Sequence, residues 1–217
     1  MKIAIDGTAA SGKGTLSYNL SKTLKLPRLD TGLLYRKVAY LYIKSIKLMP
    51  KQNSIDNSIL EIILDEFDLN DLDPETLKYD TYGNFASMIG KLDFVRNKLK
   101  ILQISYVENM TKIRGGCILD GRDIGTQILP NADFKFYIDA PIKIRAKRRF
   151  EQLYSIDKSI KFKKIFLDLE KRDMADKLRK NSPLILSKDS IFLNTEHLNP
   201  NQVLEKALYH IKKNKEI

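Results

Sequence analysis

The sequence predicts an α/β protein in which a parallel sheet is flanked by helices. Short apolar runs alternate along the 217 residues with stretches of helical periodicity, the pattern of βαβ units. Four motifs rich in small and charged residues fall just after those runs, where ligands collect at the carboxyl ends of parallel strands. The first motif, Gly7-Thr8-Ala9-Ala10-Ser11-Gly12-Lys13, fits G-x-x-x-x-G-K between a strand and a helix, which makes the sheet one of P-loop NTPase type.

The elements follow in order. Ile3-Ala4-Ile5 marks a short buried strand over 2–5. Leu16, Leu20 and Leu24 recur at helical spacing over 13–25, and Pro27 closes that run. Residues 28–31 read as a second strand, and 32–48 as a helix stopped by Pro50. The stretch 51–82 is rich in Asn, Asp and Lys, with one apolar patch from Ile59 to Leu64, and reads as a peripheral insert of small elements. A long helical pattern covers 84–112 with a break near Gly90. Strands are expected at 115–119, 134–138 and 191–193. Helices are expected at 141–154 and 162–179, joined by the polar stretch 155–161, and a closing amphipathic helix at 200–213.

Composition narrows the function. With 43% hydrophobic and 30% charged residues the chain can bury a core, and no apolar run approaches the roughly 20 residues of a membrane span. No apolar run with a cleavage site follows Lys2, so no signal peptide is expected. The single cysteine, Cys117, lies in an apolar setting and reads as a buried, inert thiol. A lone cysteine excludes an internal disulfide framework and suits a reducing cytoplasm, the expected location. The net charge of +11 raises nucleic acid as a partner. Most lysines sit in mixed runs, however, and no aromatics are interleaved with them for base stacking, so neither nucleic acid nor membrane is the expected partner.

The glycine loop turns successive backbone N–H groups around phosphate oxygens, the helix start adds its own N–H groups, and Lys13 brings charge to the β- and γ-phosphates. The slot after the lysine, ordinarily Ser or Thr on Mg²⁺, is Gly14, with the hydroxyl one residue later at Thr15. Mg²⁺ would then be held mainly by the nucleotide and waters. This Gly-Lys-Gly-Thr spelling resembles nucleoside monophosphate kinases.

At the second strand end, Thr31 opens a helix with Arg36 five residues on, a set that suits a phosphate monoester. The alternative is a plain N-cap beside a solvated arginine. At the third strand end, Asp120 has the position of an acid facing the metal and its waters, and Arg122 and Asp123 follow it. Arg122 suits a place between donor and acceptor phosphates, and Asp123 can accept from a base amino group. An Asp120–Arg122 structural ion pair is the competing reading. Arg172, Asp176 and Arg179, spaced i, i+4, i+7, share one helical face, as a solvated charged stripe also would. Arg145, Arg148 and Arg149 form a further basic group.

The chain resembles the bacterial cytidylate kinases, which phosphorylate CMP and dCMP with ATP. The resemblance rests on Ile-Asp-Gly-x-x-x-Ser-Gly-Lys-Gly-Thr at 5–15, Asp-Thr-Gly-x-x-Tyr-Arg at 30–36 and Asp-Gly-Arg-Asp-x-Gly-Thr at 120–126. Gly83-Asn84-x-Ala86-Ser87 with Val95-Arg96, and Arg172-Asp173-x-x-Asp176-x-x-Arg179 before Pro183-Leu184, complete it. It implies that Gly7, Thr8, Ala9, Ala10, Ser11, Gly12, Lys13, Gly14 and Thr15, with Arg148, bind ATP. Thr31, Arg36 and Arg122 would hold the CMP phosphate, and Ser87, Arg96 and Asp123 would read cytosine. Arg172, Asp176 and Arg179 would contact the CMP sugar and base and approach the phosphates. The implied catalytic set is Lys13, Arg122, Arg172 and Arg179, with Asp120 (through water) and Thr15 toward Mg²⁺.

It further implies one kinase domain over 1–217, with a core of about 1–52, 97–149 and 166–217, an acceptor-binding insert of about 53–96 and a lid of about 150–165. A monomer is expected, since no helix pattern shows a broad unpaired apolar face. Leu33, Phe85 and Asp93 depart from the family signatures, Leu33 in a direction expected to tighten the acceptor pocket and Phe85 as a large residue beside Ser87 where a small one is usual. Ala175 and Lys177 dilute the arginine density of the lid helix. The rivals are a UMP, AMP or shikimate kinase, a nucleic-acid-binding ATPase, and a binding-only relative.

Overall fold

The computed structural model describes residues 1–46, 55–69, 71–77 and 79–213. Its sheet has five strands in the order β2-β3-β1-β4-β5. They are β1 (Lys2–Gly7), β2 (Arg28–Asp30), β3 (Cys117–Gly121), β4 (Phe134–Asp139) and β5 (Ile191–Asn194). β1 runs parallel to both β3 and β4, and β4 parallel to β5. The apolar run of β1 is therefore central, and Ile3, Ala4 and Ile5 are fully buried. Register sets Asp6 beside Gly121 and Gly7 beside Ile138. The glycine loop thus leaves the sheet between the ends of β3 and β4, the location the motif order predicts.

The helices are α1 (Lys13–Leu24), α2 (Thr31–Ile46), α3 (Asn57–Asp65), α4 (Pro74–Leu77), α5 (Asp80–Ile89), α6 (Asp93–Arg114), α7 (Ile142–Tyr154), α8 (Phe162–Leu178) and α9 (Pro200–Lys213). Every expected strand and helix is present. The expected stop at Pro50 lies outside the described residues. The long pattern at 84–112 divides into α5 and α6, with Gly90 as the cap of α5. The third strand starts at Cys117 rather than Gly115, because Gly115 and Gly116 take φ of 72° and 147° to turn the chain out of α6. The π-helical turn Ile124–Ile128 was not predicted. Its signature bond, Leu129 N–H to Ile124 O at 2.7 Å, leaves no apolar periodicity to read.

The chain folds as two compact units, Met1–Leu29 with Asn109–Ile217, and Asp30–Glu108. In the first, Ile3, Ile5, Leu16, Leu20, Phe136 and Val203 centre a core between the sheet, α1 and α9. A smaller cluster of Ala9, Ala146, Ile165 and Leu169 seats α7 and α8 on the glycine loop. Cys117 is buried as expected, and burial pushes its thiol up to about 11.

The second unit is built around α2. Tyr42 stacks on Phe85 at 5.0 Å between ring centroids, and its hydroxyl accepts from the Asp56 N–H. Lys37 is only 6% exposed, and its Nζ donates to Asp71 Oδ2 and Asp68 O, both at 3.0 Å. A buried ammonium persists because both bonds satisfy it. Among the described residues no helix is long and apolar enough to cross a membrane.

Candidate active site

The glycine loop has a side held by protein and a side that opens on a cavity. On the holding side, Thr8 Oγ1 donates to Asp139 Oδ1 at 2.5 Å. The Ala9 N–H donates to Asp173 Oδ1 at 3.2 Å, and its carbonyl accepts from Arg145 Nη1 at 2.9 Å. Arg145 also meets Asp173 Oδ2 at 2.6 Å and donates from Nε to Ala140 O at 2.7 Å. Thr8 and Ala9, expected to touch ATP, therefore have these polar groups engaged by protein and shape the loop from behind. Gly7 is required by close approach, since a Cβ there would lie 2.1 Å from Ile138 O.

The open side runs from Ala10 to Thr15. These residues line a cavity of about 480 Å³ with Arg148, Thr195, Leu198 and Val203. Its size and its mix of apolar wall and polar loop suit a nucleotide. Gly12 caps α1 without a side-chain hydrogen bond, so the helix start offers its N–H groups to an anion. Arg148 stands on the rim, with Nη2 donating to Thr195 O at 2.6 Å. Thr195 closes the arrangement by donating from Oγ1 to Ser11 O at 3.1 Å, a role with no sequence signal.

Asp120 lies beside the start of α1. Its Oδ1 accepts from Ser17 Oγ at 2.6 Å and from Arg28 Nε at 3.1 Å. Its Oδ2 is 3.9 Å from where a Gly14 Cβ would stand. Asp120 pairs with Arg28 at 3.1 Å, and Arg122 pairs with Asp176 at 2.7 Å. Ser17 and Arg28 lie outside the recognised motifs. Among the described residues no group of three or more His, Cys, Asp or Glu side chains is arranged to hold a metal. A sparse donor set of this kind suits an Mg²⁺ that takes most of its ligands from phosphate and water.

At the end of β3, Arg122 donates from Nε to Asp176 Oδ2 at 2.7 Å. Arg179 lies 3.6 Å from both Asp123 Oδ1 and Asp176 Oδ1. Burial works against ionising Asp176, but the charges of Arg122, Arg172 and Arg179 hold it below the usual carboxylate range. The structure thus gathers Arg122, Asp123, Arg172, Asp176 and Arg179. Arg179 sits one residue past α8 in extended conformation rather than on its last turn, and its Nε is fixed by Ser182 O at 2.5 Å.

Asp6 belongs to the signature at 5–15, but sequence alone assigns it no role. It accepts from the Ile124 N–H at 2.8 Å and the Gly125 N–H at 2.7 Å. Burial pushes its carboxyl up to about 6 against the pull of those two bonds.

In the second unit, Thr31 is buried at the start of α2. Arg36 is no solvated arginine: Nη1 donates to Leu77 O and Tyr79 O, both at 2.9 Å. Arg96 donates to Gly90 O at 3.3 Å and lies over the Tyr35 ring at 5.8 Å from its centroid. Ser87 is half-buried on α5. Phe85, a departure from the family signature beside Ser87, stacks on Tyr42, which accounts for a large residue at that position.

A phosphate-binding loop at the end of a central parallel strand, with Arg122 just past the end of the neighbouring strand and Arg172 and Arg179 on and just past α8, defines a P-loop phosphotransferase. The family model for cytidylate kinase matches residues 3–213. Cytidylate kinase of Bartonella henselae is 40% identical over 197 residues, covering 90% of this chain and 87% of that protein. That of Azorhizobium caulinodans is 37% identical over 208 residues, covering 96% of each. This chain belongs to the cytidylate kinase family. Among solved structures, an uncharacterized protein from Eubacterium ventriosum aligns with a TM-score of 0.56 at 13% identity over 98% of both chains. A sugar kinase from Janibacter sp. aligns with a TM-score of 0.51 at 12% identity over 97% of this chain and 94% of that one. Both share the fold.

Proposed function

We propose that the protein transfers the γ-phosphate of MgATP to CMP or dCMP, giving CDP or dCDP. The observation that carries this is the cluster of Arg122, Arg172 and Arg179 around Asp123 and Asp176. The three guanidinium groups converge there and can donate to phosphate oxygens. The carboxylate of Asp123 can also accept from the cytosine amino group.

The attacking group is a phosphate oxygen, already anionic at neutral pH, so no general base is needed. Rate comes from alignment and charge neutralisation. Lys13 holds the β- and γ-phosphates of the donor, and Arg122, Arg172 and Arg179 take up charge around the transferring group. Thr31 and Arg36 hold the acceptor phosphate. Arg96 donates to the cytosine ring, Ser87 and Asp123 accept from its amino group, and Asp176 contacts the sugar. Uracil reverses donor and acceptor on that edge and leaves Asp123 without a partner. Mg²⁺ bound with ATP neutralises and orients its phosphates, and Thr15 and, through water, Asp120 are the residues that would hold it.

Residues about 150–165 serve as the lid and about 53–96 as the acceptor-binding insert. Stacking of Phe150 on Tyr154 at 5.0 Å between centroids supports a stiff lid base. The protein acts as a cytoplasmic monomer, without nucleic acid or membrane.

The test is ADP release with MgATP against CMP, dCMP, UMP, AMP, GMP and shikimate, with Asp123→Ala alongside. Turnover is expected with CMP and dCMP. The variant is expected to lose roughly 100-fold in kcat/KM for CMP, the worth of a charged hydrogen bond. Turnover only with another acceptor would make the protein a sister kinase.

Gly83→Ala separates function from stability in the acceptor residues. A Cβ at Gly83 would lie 2.7 Å from Arg36 Nη2. The Arg36 guanidinium would have to move aside and loosen its bonds to Leu77 O and Tyr79 O, a loss that the gain of about 0.5–1 kcal/mol in the helix propensity of α5 offsets. The melting temperature is expected to stay near wild type while KM for CMP rises about tenfold, the loss of one charged hydrogen bond. An unchanged KM would show that the position of Arg36 does not matter to the acceptor.

A further inference from the structure

We propose that Asp6 is a positioning residue for acceptor recognition: from the central strand it fixes the two amides that follow Asp123, and so aims Arg122 and Asp123.

Asp6 is the last side chain of β1 before the glycine loop, and its Cα partner across the sheet is Gly121, the residue before Arg122. Its two oxygens are both in use. Oδ1 accepts from Ile124 N–H at 2.8 Å and Oδ2 from Gly125 N–H at 2.7 Å. Those amides open the π-helical turn Ile124–Ile128, whose first N–H groups have no carbonyl within the turn to bond. Further on, the turn closes through Gln127 N–H to Asp123 O at 2.8 Å. Asp6 therefore supplies the anchor at the start of the turn, next to the residue proposed to read the base.

Gly125 shows how close the contact is. A Cβ there would stand 3.3 Å from Asp6 Oδ2 and 3.3 Å from Lys135 Cδ. With the turn pinned, Asp123 faces Arg179 at 3.6 Å and Arg122 reaches Asp176 at 2.7 Å. Asp6 is only 6% exposed. Holding a carboxylate there is costly, and a neutral side chain of that size would serve packing better. Two charge-assisted bonds to adjacent amides give the charge a purpose that packing does not.

The assignment rests on the cytidylate kinase reading for its substrate, so one readout is independent of activity. Asp6→Asn keeps the size but offers one acceptor and one donor group, so one of the two amides would face a donor. In the variant, hydrogen exchange in residues 121–128 is expected to quicken, with residues 7–16 unchanged. KM for CMP is expected to rise roughly tenfold and the preference for CMP over UMP to shrink by a similar factor. The dissociation constant for ATP without acceptor should stay within about twofold, since the loop's holding contacts do not involve Asp6.

Unchanged exchange and unchanged CMP kinetics would overturn the assignment. So would equal loss of ATP and CMP binding in a folded variant, because Asp6 would then act on the glycine loop. If Asp6→Asn does not fold, Gly125→Ala presses the same contact from the other side. The same split between CMP and ATP there supports the assignment, and its absence overturns it. A wild-type protein silent with CMP would remove the functional reading alone, and the exchange pattern would still decide the role of Asp6.

Discussion

Arg122→Met lowers kcat for CMP about 1,000-fold, the effect of removing one preorganised charge from a phosphoryl-transfer site. The fold should tolerate the change. Asp176 keeps Arg179 at 3.6 Å, and the charge of Arg172 also acts on it. ATP should still bind, since the cavity beside the glycine loop is lined by Ala10 to Leu16, Arg148 and Thr195 and not by Arg122. The measurement pairs ADP release at saturating MgATP and CMP with ATP binding in the absence of acceptor. A kcat within tenfold of wild type would make Arg122 a structural partner of Asp176 and move the catalytic charge to Arg172 and Arg179.

Arg145→Met is the largest expected effect on stability. Arg145 is only 4% exposed and lies between the carboxylates of Asp139, at 3.6 Å, and Asp173, at 2.6 Å. It also donates to two backbone carbonyls, Ala9 and Ala140. Removing the cation strands two acids beside one another, and breaking a buried pair in this way costs about 3–5 kcal/mol. At about 2–4 °C per kcal/mol for a chain of this size, the melting temperature should fall by roughly 10 °C. ATP affinity should fall too, because the Ala9 carbonyl and Asp173 then lose the group that holds the loop from behind. A thermal melt within 2 °C of wild type would mean that packing beneath α7 and α8, and not the ion pair, holds the loop.

Arg122 and Arg145 differ in how far sequence could place them. Arg122 follows a strand end in a distinctive heptapeptide, and its place at the end of β3 was readable from its neighbours. Arg145 stands in a basic run with Arg148 and Arg149, and nothing local separates the three. The fold does: Arg145 is buried against the glycine loop, Arg148 is bound to Thr195, and Arg149 donates to Gln152 at 3.0 Å on α7. In the same way Thr8 and Ala9 read as nucleotide contacts because they belong to the motif. Only the packing of Asp139 and Asp173 against them shows the loop's holding side.

By itself the sequence determined the order and kind of the elements, the phosphate-binding loop and the family. All of these lie in stretches of a few residues, where periodicity, glycine and lysine act on their own neighbours. Tertiary structure alone decided who pairs with whom. Asp6 meets Ile124 across 118 residues, Asp120 meets Arg28 across 92, and Arg122 meets Asp176 across 54. A buried carboxylate takes whichever donor the sheet register and helix packing bring within about 3 Å, and that choice leaves no mark in the residues beside it.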